Sequence, residues 1–220
     1  LGELPPFLPA VLLGAALIVL FAVSGAGAAP RAAVFSVGLS AFLFQLAVLL
    51  SYQALTGLLY HAIVLLTALF MGGAAAGAAY SAKKTNPVPR DARLVHGGFV
   101  LIALALLLSN ELPDRQLLLR AAGGGFFHVL AGLGGFLTGA YYSLVVRTSF
   151  GRGSGPPAIF YAYDLFGAAA GGMLGGLVLF PLSGLEGIVA LIACIHVGSS
   201  VLLVGKWRRS NAPCRGVPAR

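Results

Sequence analysis

The chain has 220 residues, 59% of them hydrophobic and 9% charged, with a mean hydropathy of +0.95. A soluble domain carries about a quarter of its residues as charges, so this composition excludes a water-soluble globule and points to the bilayer. The 14 Lys and Arg against 6 Asp and Glu leave a net charge of +8, which in so apolar a chain reads as basic cytoplasmic loops against anionic lipid, with no nucleic-acid partner.

A helix needs roughly 20 apolar residues to cross the hydrocarbon core, so the length holds about seven spans and no soluble catalytic domain. The fold class expected is an all-α polytopic membrane bundle. In chain order, the apolar runs between prolines predict spans over 8–24, 32–53, 59–79, 94–109, 121–146, 159–180 and 187–205. Residues 1–205 form one transmembrane domain and 206–220 a basic cytoplasmic tail. The first run lacks a basic n-region and an A-x-A cleavage pattern, so it reads as a retained span. Cys194, in an apolar run, and Cys214, in the tail, read as free thiols.

With links on alternating sides, Arg31, Lys83, Lys84, Arg90, Arg93, Arg147, Arg152, Lys206, Arg208, Arg209, Arg215 and Arg220 share one side, and only Arg115 and Arg120 lie on the other. The positive-inside rule then puts the N-terminus outside and the C-terminus inside, in a bacterial inner membrane. Tyr52, Tyr60, Phe126 and Phe127 fall near the outer span ends, and Tyr80, Tyr141, Tyr142, Phe160, Tyr161 and Trp207 near the inner ones, at the interfacial depth aromatic rings prefer.

Within the spans, Gly73-x-x-x-Gly77, Gly135-x-x-x-Gly139 and the series Gly167, Gly171, Gly175 lay smooth stripes along helix faces. Such stripes allow backbones to approach, so helix packing is the expected role. Tyr60-His61 precedes Gly72, and Phe127-His128 precedes Gly139, by the same 11 residues from His to Gly. That is about three turns, which suggests a parallel repeat of the third and fifth spans. His61 and His128, at similar outer depth, have the placement that two axial ligands of haem b, or a quinone-binding pair, would need; an interfacial polar role is the plainer alternative.

Asp164 is the one acidic residue within an expected span. An ionisable group there raises proton or cation handling, against an anchoring role in which it bonds Tyr161 or pairs with Arg147 or Arg152; the anchor is favoured. Gln45 with Ser40, and His196 with Ser199 and Ser200, are intramembrane polar residues able to bond backbone or one another across helices. His96, at the start of the fourth span, reads as a surface residue. The chain has no His-Glu-x-x-His, Gly-x-Ser-x-Gly or Cys-x-x-Cys, so no catalytic or metal-ligating residues are assigned. Gly151 to Gly155 reads as a flexible link, lacking the Lys-Ser/Thr of a phosphate-binding loop.

The stretch from Gly38 to Ala78, with Gln-Ala-Leu-x-Gly-x-x-Tyr at Gln53 to Tyr60, and the Tyr-x-x-Asp-x-x-Gly at Tyr161 to Gly167, resemble the transmembrane module of membrane-bound spermidine synthase-like proteins. The resemblance covers roughly residues 38 to 205. It implies fold and membrane placement. Gln45 stands where family members often carry a glutamate, and the aminopropyltransferase domain is absent from this chain, so the family's enzymatic activity does not carry over. The expected function is a non-catalytic inner-membrane subunit or anchor of a larger complex, in contact with lipid and with membrane or extracytoplasmic subunits. Two alternatives stand beside it: a haem- or quinone-binding electron-transfer subunit, and a small-solute or proton-coupled transporter.

Overall fold

In a computed structural model the described residues are 8–23, 29–57, 59–84, 89–111, 125–150 and 156–210, with side chains at 9, 17–23, 29, 59, 61, 62, 89, 110, 111, 150 and 202–210 outside the description. Their regular structure is entirely helical: α1 (Leu8–Val23), α2 (Ala29–Thr56), α3 (Leu59–Ala82), α4 (Pro89–Glu111), α5 (Gly125–Phe150), α6 (Pro157–Met173), a π-helical stretch Leu174–Leu179, and α7 (Phe180–Ser210). Arg115, Arg120, Arg152, Cys214, the link from Gly151 to Gly155, the start of the expected fifth span and the end of the tail lie outside the described residues.

Five segments are long and apolar enough to cross a membrane: Pro30–Thr56, Ile63–Ala82, Arg90–Ser109, Gly125–Ser149 and Pro157–Val201. The last is 45 residues long, more than twice what one crossing needs. It contains one break. Gly184 has φ 59° and ψ −157°, a backbone region open essentially to glycine alone. Gly38 of α2 faces Asp164 while Ser40, two residues along the same helix, bonds His196. Residues 164 and 196 therefore lie at nearly the same height, and the chain has turned back at Gly184. Just before the elbow Pro181 has no N–H to give, and the helix widens: the Phe180 N–H reaches five residues back to the Gly175 carbonyl.

Glycine and proline set the other helix ends. Gly57, with φ 69°, closes α2 as its N–H bonds the Gln53 carbonyl at 2.9 Å. Pro89 opens α4 with Asp91 in the first turn, where a carboxylate meets the positive end of the helix dipole. The helix thus begins five residues before the expected 94.

Two parallel pairs organise the bundle. Along α3 and α5, a side-chain carbon at Gly73 would strike Gly132, one at Gly77 would strike Phe136, and ones at Gly135 and Gly139 would strike Phe70 and Ala74. The contacts advance together, so the helices run the same way with backbones touching, each lending glycines to the other. Along α2 and α6, Gly167 lies against Phe35, Gly171 against Leu39 and Gly175 against Leu43 and Leu46, again in parallel. α1 lies along α7, Gly14 at Cys194 and Ala10 near Gly187. The core between them holds Phe44, Leu43, Leu66, Phe99, Leu106, Phe127, Ile188 and Ile192.

Three aromatic residues expected at interfacial depth are instead packed inside: Phe127, Tyr141 and Phe160 are fully buried, whereas Tyr60, Tyr80 and Tyr161 are exposed. The first three lie on helix faces covered by neighbours, and depth alone does not distinguish a ring facing lipid from one facing a helix.

Candidate functional site

Helix α4 carries His96 seven residues after Pro89, two turns inside the helix, and Phe99 three residues further on the same face. Its neighbour α7 brings His196, and α2 brings Ser40. Far from being at the surface, His96 is 1% exposed, and His196 and Ser40 are fully buried. The correction follows from the helix boundary: a start at Pro89 carries His96 past the polar first turn and into the bundle.

The two imidazoles meet nitrogen to nitrogen, His96 Nδ1 to His196 Nδ1 at 2.8 Å. Ser40 Oγ lies 3.0 Å from His196 Nε2 and donates to the Val37 carbonyl at 3.1 Å. Phe99 stacks on His196 with ring centroids 4.3 Å apart and planes 8° from parallel. Tyr141 of α5 meets His96 edge-on at 4.8 Å.

The tautomers of the two rings set which atoms donate. In the arrangement where Ser40 gives its single hydrogen to Val37, it accepts from His196 Nε2–H. The neutral His196 ring then has a bare Nδ1, which accepts from His96 Nδ1–H. His96 is left with a bare Nε2, and that buried atom has no hydrogen-bond partner. An unpartnered acceptor inside apolar packing is costly, so the atom is a place for a proton or a donor group to bind. The direct 2.8 Å contact also closes the space between the two Nδ1 atoms to any ion coordinated by both.

Sequence reasoning named His196 but not its partner, because α4 and α7 meet only in three dimensions. His61 and His128 stand on the parallel helices α3 and α5. The register that sets Gly73 between Gly132 and Phe136 places His61 higher than His128 by about five residues, roughly 7 Å along the axis. The His61 side chain lies outside the description, while His128 packs its ring against Tyr52 at 5.6 Å.

Asp164 is half-buried on α6 with its carboxylate toward Gly38, where any side-chain carbon would overlap it. Arg147 is engaged elsewhere: its Nη1 lies 2.8, 3.0 and 2.7 Å from the carbonyl oxygens of Ser81, Ala82 and Lys84, capping the end of α3. Beside it Lys84 and Asp91 form an ion pair at 2.6 Å that ties α3 to α4, and this bond pushes the Lys84 pKa up. Gln45 bonds neither Ser40 nor backbone: both its amide atoms are buried without partners. Among the described residues no group of three or more His, Cys, Asp or Glu is arranged to hold a metal. Compared with protein-family models, curated proteins and solved structures, the chain matches none.

Proposed function

We propose that the protein is a seven-span membrane transporter, N-terminus outside and C-terminus inside the cytoplasmic membrane, that couples movement of a small solute to one proton held at His96. The observation that carries this is the buried Nε2 of His96, an atom without a hydrogen-bond partner at the end of a hydrogen-bonded series of ring, ring and hydroxyl. An intramembrane ionisable group with a free site is the usual mark of a proton station. A proton arriving at Nε2 converts His96 to an imidazolium, whose Nδ1–H can pass on to His196. The charge is then shared between two rings, one stacked on Phe99. The series ends at the Val37 carbonyl, which cannot release a proton onward, so the pair stores a proton and returns it by the same route. The elbow at Gly184 supports two crossings within the 45-residue stretch, α1 is counted as a further one, and the twelve basic residues on one set of links against two on the other support the orientation.

A pH step applied to proteoliposomes on a solid support reads the station directly as displaced charge. The wild type is expected to displace charge, and His96→Gln to lose most of it while keeping its helical circular dichroism. A silent wild type, or an unchanged His96→Gln, overturns the reading.

A second reading, a membrane subunit docked to other helices, is favoured by α3. Only 11% of its apolar span is buried, and the face turned from α5 shows Ala68, Gly72, Ala75, Ala76 and Ala79. A silent protein that co-purifies a stoichiometric membrane partner would support it.

A further inference from the structure

We infer that a seam between α5 and α6, floored by α2, binds a small organic cation, with Asp164 taking its positive group and Gln45 a second polar group. Helices α5 and α6 each lie against α2 but scarcely touch one another. On α2, Gly38, Gln45 and Tyr52 follow at seven-residue intervals and so share one face. The residues flanking Gln45 diverge: Phe44 packs at Gly134 of α5, and Leu46 packs at Gly175 in the π-helical stretch that continues α6. Gln45 therefore lies over the gap between them, where its amide nitrogen and oxygen are both buried without a partner.

Asp164 lines the same seam about 10 Å along α2, at Gly38. Tyr142 of α5 is within electrostatic range of Asp164 and of Tyr161, which stands three residues before Asp164 on α6. Among the described residues no Lys or Arg is paired with Asp164. A half-buried carboxylate with no cationic side chain paired to it among the described residues favours a cation over an anion. The unpartnered amide nearby offers both a donor and an acceptor to a hydroxyl or amine on the same solute. At the other end of the floor Tyr52 packs against Phe127 and His128 of α5.

This site supplies the solute class of the transport reading and rests on that reading for its purpose, but binding can be read without any proton movement. The test measures thermal unfolding of the purified protein in detergent with 2-aminoethanol, acetamide or acetate at equal concentrations and constant ionic strength. The aminoalcohol is expected to raise the midpoint and the neutral and anionic probes to leave it unchanged. Asp164→Asn is expected to weaken binding by roughly tenfold or more, as loss of a charged hydrogen bond does. Gln45→Leu should weaken it less, and carries the same comparison if Asp164→Asn does not fold. His96→Gln should keep the shift, so a failed proton station leaves this site standing. No shift with the aminoalcohol, an equal shift with acetate, or a full shift in Asp164→Asn overturns the inference.

Discussion

Ser40 has one hydrogen to give and two neighbours able to take it. When it gives that hydrogen to Val37 at 3.1 Å, His196 donates from Nε2, His96 donates from Nδ1, and His96 ends with an acceptor nitrogen at Nε2. Replacing Ser40 with Ala removes both bonds at once and frees His196 to adopt either tautomer. Nitrogen-15 spectra of histidine-labelled protein are expected to show one protonated and one bare nitrogen per ring in the wild type, and a mixture in Ser40→Ala. Unmixed spectra in the variant would show that packing against Phe99 and Tyr141 alone orients the rings. At this scale the sequence was least informative. His96 and His196 lie 100 positions apart, and no periodicity within either helix marks them as partners. Gln45 and Asp164 were visible as polar residues among apolar ones, yet their common seam depends on which way α2 is rotated, which its two flanking glycine contacts decide.

The helices themselves were legible, since runs of apolar residues bounded by proline and glycine allow little else. Their boundaries were less so. Pro89 starts α4 early because a proline costs nothing in a first turn, and that shift moved His96 from rim to core. The glycine stripes were visible as stripes, but the partner of each is a matter of tertiary arrangement. On α3 and α5 the glycines interlock with backbone on both sides, so a larger residue has no flexible side chain to push aside. Gly135→Leu is expected to separate the pair and cost about 1–3 kcal/mol or more. Gly72→Leu, on the open face of α3 where an added carbon meets nothing within 4 Å, should be nearly silent. Unfolding of the two variants in a denaturing detergent series compares them, and equal midpoints would contradict the described register.

Across the whole molecule, basic side chains tie helix ends together on one side. Arg147 caps α3 from α5, and the Lys84 pair with Asp91 joins α3 to α4. The proposed orientation puts both contacts at cytoplasmic helix ends. In a background with Cys194 and Cys214 replaced by serine, Thr85→Cys is expected to react with an impermeant maleimide only after cells are permeabilised. Gln116→Cys should react in intact cells. The reverse pattern would invert the molecule, and equal labelling of both would remove a span from between them.

Parallel pairing of helices also bears on how the chain is made. An antiparallel neighbour can dock as soon as the next segment is inserted, but α2 and α6 run the same way, and Asp164 leaves the ribosome 126 residues after Gly38. At a synthesis rate of roughly 5–20 residues per second, α2 waits about 6–25 s with its Phe35–Leu39–Leu43 face and the Gln45 amide uncovered. During that interval the insertion machinery, or the lipid beside it, must shelter a polar surface that the finished protein keeps between its own helices.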